Sequence, residues 1–280
     1  MLFRSAVDGI ALVAPGPGGP TSTVGADELS ALAWGRPLAE TRVHEGSFVL
    51  LSDVPHAEIA PLAADLARVE SMLSECLPPG DAAAEPPVLM VFRDEAAYRG
   101  FVPRWAGRFR REATPPMSDG YTMLGVALGH WDPAQGVRRP TFIHEFVHSV
   151  LEKRHGLPNR SEWFQEGMAN RIQARMRPQP GLPAQVAAAL SNPSMRVPWP
   201  TLCNGQPVEI RHYWQTLVLS ETLLSDPALS ARLPRLIEAF RKAGGTDLAP
   251  HLGPVMGLDW ESLGQRCAKH APPRPDPGDR

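Results

Sequence analysis

The stretch Thr141–Asn170, TFIHEFVHSVLEKRHGLPNRSEWFQEGMAN, predicts two helices broken by one turn. Ile143, Val147, Val150 and Leu151 recur at helical spacing and form an apolar stripe that would hold the first helix against a core. Pro140-Thr141 suits its N-terminus, and Gly156 followed by Leu157-Pro158 suits a left-handed stop. Asn159 with Glu162 three residues later resembles a capping box, so a second helix is expected over 159–177, with Glu166 in its second turn. A tight Gly156–Pro158 connection would lay the two helices antiparallel.

The first helix contains His144-Glu145-Phe146-Val147-His148, an H-E-x-x-H sequence. From its composition alone, a chain with this many His and Glu residues would contain that pattern only about 0.02 times. Residues four apart on a helix differ by about 40° in azimuth and about 6 Å in rise, so the two imidazoles can meet one ion. Glu145 sits about 100° round from His144 and is left to face a water. A catalytic zinc takes three protein ligands and keeps one position open, so a third ligand is required. His155 shares the azimuth of His144 but lies about 10 Å beyond His148, and reads as a surface histidine. Glu152 is a full turn away and reads as a solvated charge. Glu166 is the better candidate. Asn170, one turn further on, could hydrogen-bond the second ring nitrogen of a ligand histidine. Gly167 would allow close approach of backbone or substrate.

Upstream, Ser47–Leu51 and Val88–Phe92 are apolar runs of strand length, and Gly120–Gly129 is a third strand candidate. Between the first two, Ile59, Leu62, Leu66, Val69, Leu73 and Cys76 recur at helical spacing, which makes Cys76 a small core residue. A short helix is expected over 94–101 with Asp94 as its N-cap. Beyond residue 141 the pattern is helical, over 141–155, 159–177, 182–190, 208–225, 227–243 and 258–270. Strands first and helices afterwards make the expected class α+β: an α/β lobe over 46–140 with a small sheet, and a mainly helical lobe over 141–270.

The 31 prolines and 24 glycines predict many helix stops and irregular connections. Residues 1–45 read as a poorly defined segment with a Pro/Gly linker at 15–25, and 271–280 as a disordered tail. Twenty-eight basic residues nearly balance thirty acidic ones, with no long basic stripe, which argues against nucleic acid as a partner. No apolar run reaches the roughly 18 residues of a membrane span. Met1–Ala14 is a poor signal peptide, so a cytoplasmic address is the default expectation and an exported or cell-envelope one the alternative. Cys76, Cys203 and Cys267 have no metal-ligand spacing, and a Cys203–Cys267 disulfide would need an oxidising compartment. His130 reads as a solvent-facing strand end. Trp105, Trp131, Trp163, Trp199 and Trp214 read chiefly as core material.

Over Thr141–Asn170 the chain resembles the gluzincins, thermolysin-like zinc metallopeptidases in which a ligand Glu follows H-E-x-x-H in a second helix. A looser resemblance, over roughly Phe48–His270, is to bacterial peptidase MA-like domains carrying W-x-x-E-G-x-A, here Trp163 to Ala169. The resemblance implies a zincin-like two-lobed fold and Zn2+ held by His144, His148 and Glu166. It also implies Glu145 as general base and an extended peptide or protein substrate paired with an edge strand formed by Gly120–Gly129. Tyr213, or His212 beside it, would steady the oxyanion. Asn170 stands where gluzincins often carry an acidic residue. The aminopeptidase G-x-M-E-N signature and the metzincin pattern are both missing, Leu151 and Arg154 replacing the Gly and His of the latter. Two other readings remain: a zinc-stabilised binding or structural module without turnover, and a metal-free fold with packed histidines.

Overall fold

A computed structural model describes residues 25–35, 43–44, 48–80, 84–109 and 115–269. The possible leader, most of the Pro/Gly linker, Ser47 and the expected tail lie outside the described residues. The chain is mixed α and β and divides into two compact units. One comprises the segment up to Met72 together with Gly80–Asn159, and the other comprises Leu73–Pro79 and everything from Arg160 on. The division therefore falls after Asn159 and not at residue 140, because the H-E-x-x-H helix packs on the sheet.

The first unit opens with α1 (Ala26–Trp34), a helix within the segment expected to be poorly defined. It continues through β1 (Val43–His44), β2 (Val49–Ser52), α2 (His56–Ile59), the part of α3 (Leu62–Cys76) up to Met72, and β3 (Val88–Phe92). Then come α4 (Glu95–Arg108), β4 (Gly120–Met123), β5 (Val126–His130) and α5 (Pro140–His155). The expected short helix at 94–101 is α4, which runs on through Pro103, with the Asp94 carboxylate accepting from the Ala97 N–H at 2.8 Å.

The strands form one mixed sheet in the order β1-β2-β3-β5-β4, with β2, β3 and β5 parallel and both ends antiparallel. All five residues of β3 are buried, as expected of a central strand covered on both faces. Alternation sorts the faces. Val49, Leu51, Val88, Met90, Phe92, Val126 and Leu128 join a core with Tyr98, Phe101 and Trp105 of α4 and Leu29 of α1. The opposite face meets α5, where a Cβ on Gly129 would touch the Phe142 ring at 3.0 Å.

The single strand expected over Gly120–Gly129 is a hairpin. Leu124 and Gly125 carry φ of 55° and 69°, the double left-handed turn that matches strand twist. A leucine in that region is uncommon, and α5 secures the turn. Gly125 N–H donates to the Glu152 carboxylate at 2.8 Å, and Gly125 O accepts from Ser149 Oγ at 2.6 Å. Glu152 is thus a turn-holding group and not simply a solvated charge. Ser149 Oγ also accepts from Val88 N–H at 2.9 Å, which ties α5 to β3 as well as to the hairpin.

The second unit is helical: α6 (Trp163–Met176), α7 (Leu182–Ser191), α8 (Trp199–Leu202), α9 (Tyr213–Ser225), α10 (Pro227–Ser230), α11 (Leu233–Ala243), α12 (Ala249–Leu252) and α13 (Trp260–Lys269). The helix expected from 159 starts later, because Glu162 and not Asn159 is its N-cap, accepting from Phe164 and Gln165 N–H at 2.7 and 3.1 Å. The runs expected at 208–225 and 227–243 are likewise shorter or broken, the latter between α10 and α11. Prolines punctuate this unit mainly at helix starts, in α7, α8, α10, α11 and α12, where a missing N–H costs nothing. Its core gathers Trp163, Phe164 and Phe240 edge to face, with Trp163 Nε1 donating to Thr246 O at 2.7 Å. Cys203 and Cys267 are free and buried, and Cys76 is free and half-buried. Among the described residues no helix is long and apolar enough to cross a membrane.

Candidate metal centre

Helix α5 presents its chemistry on a rigid support. Pro140 occupies the first turn with φ already suited to a helix, and Gly156, at φ 62°, ends it by donating to Leu151 O. His144 and His148 lie one turn apart with ring centroids separated by 4.9 Å and planes at 81°. Both are buried, as is Glu145 between them in sequence.

Glu166 lies in the first turn of α6, one turn earlier than expected, because the helix begins at Trp163. One ligand atom each from His144, His148 and Glu166 lies within 4.8 Å of the others, and all three residues are buried. Among the described residues these are the His, Cys, Asp and Glu side chains grouped closely enough to hold a metal ion. Two imidazole nitrogens and one carboxylate oxygen are the donor set of an open zinc site. Gly167, beside the carboxylate, meets backbone: a Cβ there would stand 2.7 Å from Thr216 O and 2.2 Å from Ser220 Oγ, both in α9.

Glu145 is held by strand β4. Gly120 and Thr122 pair with Gly129 and Ala127, and so face α5. Thr122 Oγ1 lies 2.8 Å from Glu145 Oε2 and 3.1 Å from Glu145 O, sharing its one proton between them. A Cβ on Gly120 would stand 2.6 Å from Glu145 Cγ, 2.9 Å from Oε1 and 2.3 Å from Thr141 Cγ2. Just before this strand, Asp119 pairs with the buried Arg139 guanidinium at 2.9 Å. Arg139 also donates to His130 O at 2.7 Å and lies 3.2 Å from both His130 ring nitrogens. His130 is therefore a buried member of a clamp and not a solvent-facing strand end.

Of the other sequence candidates, His155 is buried, against the surface place expected of it. Tyr213 is the buried first residue of α9. His212, partly exposed, has its imidazole pKa lowered by burial and by Arg211. Asn170 is buried in α6, and its Nδ2 has no hydrogen-bond partner among the described residues. Trp105 and Trp163 are core residues, as read from the sequence. Sequence reasoning missed Gly120, Thr122, Asp119 and Arg139. The visible signal was Gly and Thr at alternate positions of a strand, which places them on one face without saying what they meet. No family model, curated protein or solved structure matches this chain.

Proposed function

We propose that this protein is a zinc-dependent peptidase of gluzincin type on a zincin-like fold, with Glu145 as general base. The observation that carries the proposal is the buried convergence of His144, His148 and Glu166 beside an acidic residue that the metal site does not need. A purely structural zinc site is closed by four protein ligands, whereas this group offers three and leaves a position for substrate or water. That count favours turnover over the alternative of an inactive zinc-stabilised module.

His144, His148 and Glu166 would hold the ion, which supplies Lewis acidity toward a carbonyl oxygen and makes a water deprotonable near neutral pH. Glu145 takes the proton of the attacking water as that oxygen adds to the scissile carbonyl carbon, then delivers it to the departing amine nitrogen. An extended peptide would lie along β4, an outer strand of the sheet among the described residues, as an added strand. Tyr213 as oxyanion donor and Asn170 as the partner of a ligand imidazole rest on the gluzincin resemblance.

Zinc analysis with Glu145→Gln tests the reading. The wild type is expected to bind about one zinc and cleave protein substrate, and the variant to keep the zinc while losing about 10²–10⁴-fold in rate. Equal cleavage by the variant, or a wild type that takes up no zinc, overturns it.

A further inference from the structure

Glu145 has three side-chain dihedrals, and a general base must meet its water within a few tenths of an ångström. Burial alone does not choose the rotamer. Strand β4 restricts it in two ways, both fixed by the two-residue period that puts Gly120 and Thr122 on one face. Gly120 leaves open the space that Glu145 Cγ and Oε1 occupy, 2.6 and 2.9 Å from where a Cβ would be. Thr122, itself buried, donates from a hydroxyl oxygen 2.8 Å from Oε2.

We infer that Thr122 is the positioning residue of Glu145, orienting its carboxylate through Oε2 for its work as base. This rests on the reading of Glu145 as general base. The Thr122 proton stays on its own oxygen throughout. A hydroxyl on a strand suits the task because the sheet fixes the Cα, and χ1 of a β-branched residue is stiff. The same hydroxyl also reaches Glu145 O at 3.1 Å, so it is referenced to the backbone of the residue that it orients.

The test compares wild type with Thr122→Val, which keeps the shape and removes the proton, Thr122→Ser, which restores it, and Glu145→Gln. Zinc content, melting temperature, and kcat and KM on fluorescein-labelled casein are measured for each. Thr122→Val is expected to keep its zinc, lose about 10- to 100-fold in kcat and change KM by no more than about twofold. Thr122→Ser is expected to recover most of the loss. Wild-type kcat in Thr122→Val, with Glu145→Gln inactive, overturns the inference and leaves the general-base reading standing. Activity in Glu145→Gln overturns that reading instead. A readout free of turnover comes from crystal structures of the metal-free proteins. Glu145 is expected to leave its rotamer in Thr122→Val and regain it in Thr122→Ser, and an unmoved carboxylate in Thr122→Val overturns the inference even if casein is not cut.

Discussion

Gly167 on α6 sits against Ser220 on α9 so closely that a Cβ would lie 2.2 Å from the Ser220 hydroxyl oxygen. The Thr216 carbonyl, at 2.7 Å, blocks the same space and belongs to backbone, which cannot swing aside. Gly167→Ala should therefore destabilise the protein by about 1–3 kcal/mol through overpacking, despite the better helix propensity of alanine. Urea unfolding of the purified variant measures this. An unchanged midpoint would mean that the helices separate at little cost.

Ser149 of α5 bridges the β3 start and the hairpin turn, through Val88 N–H and Gly125 O. Ser149→Ala strands a buried donor and acceptor together. The expected loss is about 2–4 kcal/mol, since each unsatisfied group costs about 1–3 kcal/mol. Amide exchange at Val88 and Gly125 should accelerate more than exchange in α4.

The Glu162 carboxyl is pushed up to about 7, chiefly by burial and in smaller part by the Glu166 charge. From the ordinary value of 4.5 to about 7, the folded protein holds a proton there that the unfolded chain has released. The stability that this proton provides is fully present below about 4.5, falls as pH rises, and is gone above about 7. The span is at most on the order of 3 kcal/mol. Denaturation midpoints from pH 4 to 8 in chelator-treated protein should fall more steeply with pH for wild type than for Glu162→Gln. Parallel curves would reject the raised value.

Zinc should stabilise the native state. With free zinc at about 100 times Kd, linkage gives about 2.7 kcal/mol, read as a rise in melting temperature that a chelator reverses. His148→Ala and Glu166→Ala should each lose most of that rise, whereas Glu145→Gln should keep it. A full zinc response in Glu166→Ala would remove that carboxylate from the ligand set.

Much of the first unit was readable because its periods are local. Val88–Phe92 is apolar at every position and is a strand buried on both faces. Gly120–Gly129 was not readable as two strands, because nothing in Leu124-Gly125 announces a tight turn as Asn-Gly would. The turn is held instead by Glu152 and Ser149, more than twenty residues away. His130 and His155 were assigned to solvent for the same reason: burial depends on what the rest of the chain lays over a side chain. Glu162 rather than Asn159 caps α6, since either could fill the position and only the placement of the turn before it, with Ser161 at φ 53°, selects one.

The amino-acid order by itself determined that two imidazoles share one helix face with a carboxylate about 100° round from the first, because helical phase is a property of the local backbone. It also placed Gly120 and Thr122 on a common strand face. Only the tertiary structure decided which distant carboxylate stands with those imidazoles, and that Glu145 shares its space with a glycine and a hydroxyl of β4. Those contacts join residues some twenty positions apart, and their geometry comes from packing, which no local period encodes.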